Sequence, residues 1–401
     1  MKLRLLSLFS GCGGMDIGFE GGFICHKKSV PSHWVSESVG NGAKLKRTGF
    51  DTVFANDIMK EAKLTWNQYM HRPEVYHLGS IVDIVKAHDN GEKVFPDNID
   101  IVTGGFPCQD FSVAGKRKGF ESTKSHNGEK RDDDTPSEET RGKLYFWMKQ
   151  VIDIVKPKMF IAENVKGLVS LGDVKDIIQK DFASAGGNGY IVFNPRVLHA
   201  GDYGVPETRE RVFFIGVRKD ALRPEVLKVL ESGSIPREYD PYPEPTHRYT
   251  TDNGTLLPPV TCIDVLGHLE EPDKSKDPSQ QKYSKAKYLG KRSQGQSEIK
   301  LYGLGPTIRS EHHGNIEYRR LSLEHGGKYT SELAMGFQER RLTPRECALI
   351  QTFPPDYTFV SSDVSASSAY KVIGNAVPPV LAYNIAQRLQ QIWGKLFKPQ
   401  K

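Results

Sequence analysis

Short apolar runs alternate with amphipathic stretches through the first two hundred residues, and this rhythm restricts the fold more than any other feature. The apolar runs predict strands over residues 3–9, 52–55, 99–103, 159–162 and 212–217. Helical spacing predicts helices over residues 14–19, 58–69, 144–154 and 174–185. Because alternating strands and helices form βαβ units, the sequence predicts an α/β fold with a mostly parallel sheet and helices on both faces. Ligand sites in such sheets lie at the carboxyl ends of the strands.

The pattern changes between residues 221 and 340, a stretch that we call the irregular region. Prolines, glycines and tyrosines become frequent there, and the strand–helix rhythm is lost. Helical signals return with a capping box that begins at Thr343, and a final helix is predicted over residues 380–393. The sequence therefore predicts a larger domain, formed by residues 1–220 and 341–401, and a smaller domain of irregular loops.

The composition excludes several classes of protein. With 401 residues, of which 37% are hydrophobic and 26% charged, the chain has the balance of a globular protein of one or two domains. No apolar run approaches the roughly 18 residues of a membrane span, and the apolar start is too short for a signal peptide. The five cysteines are an odd number without a Cys-x-x-Cys pair, which favours a reducing, cytoplasmic compartment and disfavours a metal site. The net charge of +6 favours an anionic partner.

Two segments have the character of insertions between the predicted elements. Residues 25–48 are polar and contain glycines, and residues 121–140 contain an acidic run from Asp132 to Asp134. We expect solvated surface loops in both places. The second segment directly follows the loop that carries Cys108, so a mobile lid over that loop is the alternative for it.

Cys108 is the first candidate for a reactive side chain. It follows Gly105, Phe106 and Pro107 on the loop that leaves the predicted strand at 99–103. A thiol in that place is exposed enough to react, and Pro107 stiffens the backbone that presents it. A free cysteine is more often a small core residue, which is the interpretation that we give to the other four cysteines.

A glycine-rich loop follows the first predicted strand. Phe9 precedes Gly11 and Gly13, and glycines at a strand–helix junction let the backbone approach a ligand closely. The dinucleotide fingerprint needs a third glycine where this chain has Asp16, which disfavours NAD and FAD. A nucleoside that carries a carboxylate instead of a pyrophosphate fits better, although a simple strand–helix turn is the alternative. Asp57, at the end of the next strand, is placed to bind two ribose hydroxyls.

Taken together, these segments resemble the DNA (cytosine-5) methyltransferase family of bacterial restriction-modification systems. The resemblance covers eight segments in the order of that family, namely residues 9–14, 56–57, 105–109, 141–146, 163–165, 202–211, 341–347 and 374–379. It implies a Rossmann-like methyltransferase fold with S-adenosyl-L-methionine as the cofactor, and a target-recognition role for the irregular region. The implied cofactor contacts are Phe9, Gly11, Gly13, Asp57, Ile58, Ile81, Gly105, Pro107, Leu144, Asn375 and Val377.

One position departs from the family pattern. The family often has an acidic residue after the third strand, which binds the amino group of adenine, and this chain has Ser80 there. A serine hydroxyl still accepts that hydrogen bond, although more weakly than a carboxylate does. The resemblance therefore implies the same cofactor with a different adenine contact.

The resemblance also implies a chemical mechanism. Cytosine C5 is a poor nucleophile, and addition of the Cys108 thiolate to C6 makes C5 enamine-like. Glu163 would hydrogen-bond N3 and the exocyclic amine, for which its carboxyl must be at least partly protonated. Arg211 would hold O2 of the ring, with Arg209 supporting it. We expect these four residues to form the catalytic set.

A basic stretch inside the irregular region is predicted to bind double-stranded DNA. Between residues 282 and 309, seven Lys and Arg residues (282, 285, 287, 291, 292, 300 and 309) accompany one acidic residue, Glu298. A base inside a duplex must be flipped out before it can react, so DNA must be held on both sides of the site. The expected DNA contacts are Ser112, Lys116, Lys287, Lys291, Arg292 and Arg309. A solvated basic loop is the alternative for the stretch.

Two other functions stay open at this stage. One branch of the family methylates cytosine in tRNA, but the Cys-Phe-Thr tripeptide typical of that branch is absent from this chain. A catalytically inactive DNA-binding homologue is disfavoured by the intact Cys108, Glu163 and Arg211. The resemblance implies a monomeric, cytoplasmic enzyme that protects host DNA from a restriction endonuclease, which acts on the same site without binding to it.

Overall fold

The computed structural model describes residues 2–107, 144–252, 254–310 and 316–399 of the chain. Cys108, Ser112, Lys116 and the second inserted segment lie outside these ranges, so the roles predicted for them stay predictions. Within the described ranges, no helix is long and apolar enough to cross a membrane.

Strands and helices alternate through the first half of the chain, as the sequence predicts. The strands in the described residues are β1 (Leu3–Leu8), β2 (Ile24–His26), β3 (Val35–Val39), β4 (Gly42–Leu45), β5 (Phe50–Asp57), β6 (Tyr76–Leu78), β7 (Ile101–Gly105), β8 (Met159–Val165), β9 (Tyr190–Val192), β10 (Arg196–His199), β11 (Glu210–Arg218), β12 (Tyr318–Arg320) and β13 (Arg340–Arg341). The helices are α1 (Gly14–Glu20), α2 (Lys60–Met70), α3 (Ile81–Asp89), α4 (Leu144–Val155), α5 (Val174–Ala183), α6 (Pro224–Glu231), α7 (Cys262–Leu266), α8 (Pro278–Gln281), α9 (Thr330–Ala334), α10 (Pro344–Ile350), α11 (Ala366–Asn375) and α12 (Pro379–Leu396). Every strand and helix predicted for the larger domain is present, with ends shifted by a few residues.

A central sheet of eight strands positions the loops that carry the candidate site. Its strand order is β10-β11-β8-β7-β1-β5-β6, and β9 pairs with the C-terminal end of β11. The five strands from β8 to β6 are parallel, whereas β11 runs antiparallel to β8. The chain begins in the middle of the sheet and later adds strands on both sides, so a topological switch point lies between β1 and β7. The predicted mostly parallel α/β fold is confirmed.

Apolar side chains from alternate strand positions form two cores, one on each face of the sheet. In β1, Leu5 belongs to one core and Leu6 to the other. The first core is covered by α1 and α12, which approach so closely that a Cβ on Gly18 would lie 2.4 Å from the carbonyl oxygen of Pro379. The second core is covered by α3, α4 and α5. The prediction of helices on both faces is therefore confirmed.

The expectation of a solvated loop at residues 25–48 is wrong. This segment contributes to β2, β3 and β4, which pair in the order β2-β4-β3 as a small antiparallel sheet. Cys25, Ala43 and Leu45 are buried, whereas most of β3 is exposed. The buried residues are few and belong to separate short strands. The alternation of buried and exposed positions is therefore too brief to be recognised in a polar segment.

The cysteines of the described residues have the structural role expected for them. Cys12, Cys25, Cys262 and Cys347 are all buried and unpaired. No cluster of His, Cys, Asp and Glu side chains that could hold a metal ion is found in the same part of the chain.

The irregular region contains only short elements in its described part, and buried arginines connect it to α10. Arg320 and Arg340 share the carboxylate of Glu271, at 2.8 and 2.9 Å. Arg340 also binds both oxygens of Glu346, at 2.8 and 2.9 Å. Glu346 completes the predicted capping box with Thr343, which is confirmed. Charged pairs thus fix the irregular region to the larger part of the chain.

The start of the irregular region packs on the larger part as well. The N–H of Arg223 donates to the carbonyl oxygen of Leu396 at 2.9 Å, and the hydroxyl of Tyr242 donates to that of Phe213 at 2.8 Å. These contacts tie residues 223–242 to α12 and the sheet. The domain boundary at residue 221 stays a prediction.

Candidate active site

The glycine-rich loop lies at the carboxyl end of β1, where its backbone adopts conformations that favour glycine. Gly11 and Gly13 have φ angles of 53° and 79°. A Cβ on Gly13 would lie 2.5 Å from the indole ring of Trp66, so the close contact requires glycine. A Cβ on Gly11 would meet nothing within 4 Å. The loop therefore presents bare backbone to open space at Gly11.

Polar side chains from distant segments hold this loop in place. Asp57 accepts a hydrogen bond from the N–H of Gly11 at 3.0 Å, and Tyr76 donates to the carbonyl oxygen of Gly11 at 2.9 Å. Tyr357 donates to the carbonyl oxygen of Cys12 at 2.7 Å. Burial raises the pKa of Asp57. Sequence reasoning missed the two tyrosines because nothing in their local pattern marks them.

Asp16, which occupies the place of the third fingerprint glycine, supports the loop from inside the protein. Its Oδ1 accepts a hydrogen bond from the hydroxyl of Ser7 at 2.6 Å, and its Oδ2 accepts one from the indole N–H of Trp66 at 2.8 Å. Burial raises the pKa of Asp16 to about 6. Since the side chain is completely buried, it shapes the loop without reaching a ligand.

Apolar side chains remain exposed beside the open backbone of the loop. Ile58 is 49% exposed and Leu78 is 45% exposed, although each lies at the end of a strand of the central sheet. A Cβ on Gly79 would meet nothing within 4 Å. Exposed apolar groups around bare backbone suit the flat ring of a nucleoside base. Leu78 is a candidate contact that sequence reasoning missed, and its signal is an apolar residue at a strand end directly before a glycine.

The residues that begin α3 face the protein interior. The hydroxyl of Ser80 caps the helix by accepting a hydrogen bond from the N–H of Val82 at 3.3 Å. The side chain of Ile81 is buried in the second core. The helix cap therefore competes with the adenine contact predicted for Ser80, and the cofactor contact predicted for Ile81 stays a prediction.

Glu163 lies near the carboxyl end of β8, opposite the residue that leads into the Cys108 loop. The pairing of β7 with β8 places Gly105 in register with Glu163. A Cβ on Gly105 would lie 2.8 Å from Oε2 of Glu163, so the glycine makes room for the carboxylate. The amide of Asn164 donates to the carbonyl oxygen of Phe106 at 3.1 Å. This bond fixes the backbone at the point where the Cys108 loop begins.

Arg211 pairs with Glu163 between the neighbouring strands β11 and β8. Its Nε lies 2.9 Å from Oε1 of Glu163. Burial raises the pKa of Glu163, and the guanidiniums of Arg211 and Arg209 oppose that rise. A buried carboxyl with a raised pKa beside an arginine is suited to donate or hold a proton at a reacting centre.

Arg209 has a different environment from Arg211. Its buried guanidinium donates to the carbonyl oxygens of Ile308 and Gly374, both at 3.0 Å. These bonds direct Arg209 into the protein interior, where it joins three distant segments. The contacts agree with the supporting role expected for Arg209 and not with a direct contact to a substrate.

The remaining predicted cofactor contacts lie in separate segments, with Leu144 in the second core and Val377 in the first. Pro107 is half-buried, Leu144 is buried at the start of α4, and Asn375 is exposed at the end of α11. A Cβ on Gly14 would lie 2.2 Å from the carbonyl oxygen of Val377. The segment that carries Asn375 and Val377 therefore closes against the start of α1.

Comparison with known proteins decides the family. A family model described as C-5 cytosine-specific DNA methylase matches residues 3–391 of the chain. The chain belongs to this family. The match includes both the central sheet and the irregular region, and it confirms the enzyme class predicted from the sequence.

Individual relatives agree with this assignment to the C-5 cytosine-specific DNA methylases. The chain is 32% identical to the Type II methyltransferase M.BsuRI of Bacillus subtilis, over 96% of this chain and 78% of that protein. It is 31% identical to the Type II methyltransferase M.NgoFVII of Neisseria gonorrhoeae, over 98% of this chain and 87% of that protein. Among solved structures, the Entamoeba histolytica methyltransferase EhMeth matches with a TM-score of 0.58 at 14% identity, over 98% of this chain and 99% of that one. This last likeness shows a shared fold.

The basic residues expected to bind DNA fall into two groups in this methylase. Lys287, Lys291 and Arg292 lie on an exposed segment of the irregular region. Arg309 is instead partly exposed, and its guanidinium donates to the carboxylate of Glu317 at 2.6 Å. The first three are available to a phosphate backbone, whereas Arg309 is held by its carboxylate partner.

Proposed function

We propose that this methylase transfers a methyl group from S-adenosyl-L-methionine to C5 of a cytosine that is flipped out of a specific double-stranded DNA sequence. The observation that supports this best is the position of Glu163. Its buried carboxyl pairs with Arg211 at 2.9 Å and lies against Gly105, where the Cys108 loop begins. A proton donor and a cation lie at one edge of the sheet, and Cys108 follows Gly105 by three residues in the sequence; together they are the groups that activation of a cytosine ring requires.

The residues at the ends of β1, β5 and β6 fit S-adenosyl-L-methionine. Bare backbone at Gly11 and Gly79 borders open space, and the exposed Ile58 and Leu78 offer apolar contacts for the adenine ring. We assign Asp57 to the ribose hydroxyls, from which its carboxylate would accept hydrogen bonds in addition to those from the N–H groups of Gly11 and Met59. When it is bound, this cofactor supplies an electrophilic methyl group on a sulfonium.

The proposed reaction proceeds through a covalent bond to Cys108. Its thiolate adds to C6 of cytosine, and the electron pair of the C5–C6 double bond becomes available at C5. C5 would then take the methyl group, while the bond between that group and the cofactor's sulfur would break and leave its electron pair on the sulfur. A base removes the proton from C5, the electron pair re-forms the double bond, and the C6–S bond breaks to release the thiolate. The DNA thus gains one methyl group and loses one proton.

Glu163 and Arg211 are assigned to stabilising the charge that develops on the ring. A protonated Glu163 would donate to N3 and accept from the exocyclic amine, while Arg211 would donate to O2. The burial that raises the pKa of Glu163 favours its protonated form, and the nearby Arg211 limits that rise. Burial and Arg211 therefore act in opposite directions on the protonation of this carboxyl.

The irregular region is assigned to DNA recognition. The exposed Lys287, Lys291 and Arg292 would contact phosphates, which position a duplex without reading its sequence. Ser112 and Lys116 receive the same assignment from the sequence alone. Because flipping a base costs a few kcal/mol, these contacts supply the binding energy that offsets it.

We infer that the methylation protects host DNA from a restriction endonuclease. M.BsuRI and M.NgoFVII are described as Type II methyltransferases, and the chain matches most of the length of each. A methyl group on C5 projects into the major groove, where it would block an endonuclease that reads the same bases. Such protection needs a shared DNA site and no contact between the two proteins, so we expect a monomeric enzyme in the bacterial cytoplasm.

Transfer of a labelled methyl group tests this proposal. The purified protein is incubated with methyl-labelled S-adenosyl-L-methionine and either unmethylated plasmid DNA or tRNA. We expect label in the DNA as 5-methylcytosine, at one recurring sequence that bisulfite sequencing locates. Label in tRNA alone would assign the enzyme to the RNA branch of the family, and label in neither substrate would contradict the proposal.

A further inference from the structure

A short segment of the irregular region lies directly beside the residues that lead into β11. The N–H of Gly305 donates to the carbonyl oxygen of Pro206, and the N–H of Thr208 donates to that of Gly305, both at 2.9 Å. The hydroxyl of Thr307 donates to the carbonyl oxygen of Thr208 at 3.1 Å. These bonds align the two segments in parallel, so the irregular region returns to the sheet at this point.

Glu207 and Arg209 hold the backbone of one residue in this segment, Ile308. Oε1 of Glu207 accepts a hydrogen bond from the N–H of Ile308 at 2.6 Å, and Nη1 of Arg209 donates to the carbonyl oxygen of Ile308 at 3.0 Å. Glu207 is 0% exposed and Arg209 1% exposed, and the two side chains lie 3.6 Å apart. The second oxygen of Glu207 has no hydrogen-bond partner among the described residues. Among the described residues, the Glu207 carboxyl therefore interacts with the backbone N–H of Ile308 and with the guanidinium of Arg209.

The same pair interacts with the candidate active site. Arg211, two residues after Arg209, binds Glu163, and Arg209 itself lowers the pKa of Glu163. Burial raises the pKa of Glu207, and both arginines oppose that rise. Glu207–Arg209 and Glu163–Arg211 are thus two ion pairs whose arginines are two residues apart in the chain, and each arginine affects both carboxyls.

The next residue after Ile308, Arg309, connects it to the part of the irregular region that contains Gln294 and Glu317. Arg309 donates to Glu317 at 2.6 Å, and Gln294, with its amide oxygen turned towards Arg309, accepts hydrogen bonds at 3.1 and 3.2 Å. The backbone of Arg309 packs so closely on α11 that a Cβ on Gly374 would lie 2.2 Å from its carbonyl carbon. A shift of the exposed basic segment near Gln294 would thus be transmitted to Ile308.

We propose that Glu207 is a positioning residue that couples DNA recognition to activation of the target base. It acts through Ile308 and Arg209, so that the irregular region and the Arg211–Glu163 pair keep a fixed arrangement. This inference rests on the proposed function, since it takes the irregular region as the part that binds DNA.

Two substitutions test the hydrogen bond from Glu207 to Ile308. Glu207→Ala removes the acceptor, and we expect kcat for methyl transfer to plasmid DNA to fall by about 10- to 100-fold. Glu207→Gln keeps an oxygen in nearly the same place, and we expect it to recover kcat to within about 5-fold of the wild type. The KM for S-adenosyl-L-methionine should change by less than about 2-fold, because Glu207 itself has no described contact with the glycine-rich loop, Asn375 or Val377.

Glu20→Ala is the matched control for Glu207→Ala. Glu20 is also a buried carboxyl that accepts a backbone N–H, from Thr52 at 3.1 Å, and pairs with an arginine, Arg72. It lies at the end of α1 and has no described contact with the irregular region. We expect Glu20→Ala to lower the free energy of unfolding to a similar extent and to leave kcat unchanged, which separates positioning from general destabilisation.

Several outcomes would overturn the role of Glu207. One is a Glu207→Ala protein whose kcat stays within about 2-fold of the wild type, and another is an equal loss of kcat in the two alanine variants. If Glu207→Ala does not fold, the kcat of Glu207→Asp is measured instead. The shorter side chain of this variant keeps the negative charge but does not reach the N–H of Ile308. An unchanged kcat in that variant would also overturn the role. Failure of the proposed function is a different result, in which the wild-type protein transfers no methyl group to DNA.

Discussion

The central sheet and the irregular region differ in the charged pairs that they bury. On both faces of the sheet, the strands bury apolar side chains in two continuous cores. In the irregular region, Arg320 and Arg340 are buried and bind the carboxylates of Glu271, Glu332 and Glu346. The first core also contains Tyr242, Val260 and Ile308, so apolar burial joins the two regions, and the charged pairs add to it in the irregular region.

Buried charges in the sheet serve another purpose. Glu163 and Arg211 lie at strand ends, where parallel sheets place their ligand sites. We assign this pair to chemistry and the pairs of the irregular region to stability. Removing a charge should therefore cost stability in one region and activity in the other, and the following variants test that difference.

The largest effect is expected from Arg340→Ala. This change leaves the carboxylates of Glu271 and Glu346 without their shared arginine, and a broken buried pair costs about 3–5 kcal/mol of unfolding free energy. Urea denaturation measures the loss. The control is Arg237→Ala, which breaks an exposed pair with Glu244 and should cost at most about 1 kcal/mol. Equal losses in the two variants would contradict the role given to the buried arginines.

Glu163→Ala should lower activity strongly and stability only slightly, which is the reverse of the result expected for Arg340→Ala. We expect kcat to fall by about 100- to 1000-fold, the usual cost of removing a group that stabilises charge in a transition state. The unfolding free energy should change less than in Arg340→Ala, because Arg211 is partly exposed and can be hydrated. Single-turnover methyl transfer and urea denaturation measure the two quantities. Glu210→Gln, which alters a partly exposed carboxylate next to Arg211, is the control and should keep its kcat.

Asp16 is a buried carboxyl next to the central sheet to which we assign no role in the reaction, and its titration tests how such a group affects stability. Its carboxyl has a pKa of about 6 in the folded protein, above its usual value of 3.8, so the folded state holds the proton more tightly than the unfolded chain does. The stability of the wild type relative to Asp16→Asn is therefore greatest near pH 4 and falls as the pH rises through about 6, by up to about 3 kcal/mol. Urea denaturation between pH 4 and pH 8 measures this difference, and a difference that grows with pH would contradict the account.

The smallest effect is expected from the exposed basic segment. Replacing Lys287, Lys291 and Arg292 by glutamine should weaken DNA binding and leave stability unchanged, because the three side chains are exposed. Each lost phosphate contact should reduce the slope of log Kd against log salt concentration by about 1. Fluorescence anisotropy with a labelled duplex measures the slope. Lys93→Gln, in an exposed pair with Asp97, is the control, and equal slopes in all proteins would exclude the segment from DNA binding.

The sequence predicted the sheet well because the information that specifies it is local. Strand–helix alternation and the glycine loop are readable within a few residues, and Glu163 stands in a segment that resembles the family. The contacts that it missed join distant positions. Trp66 under Gly13 and Glu207 on Ile308 follow from tertiary packing, which no local pattern encodes. The small sheet within residues 24–45 was missed because its polar strands alternate too briefly.

The central claim is that Cys108 forms the bond to C6 through which the cytosine is methylated. The most direct measurement compares the 5-methylcytosine content of plasmid DNA treated with the wild-type protein and with Cys108→Ala, at equal binding of DNA and cofactor. The account predicts 5-methylcytosine with the wild type and a rate at least about 1000-fold lower with Cys108→Ala. Undiminished 5-methylcytosine with Cys108→Ala would contradict it.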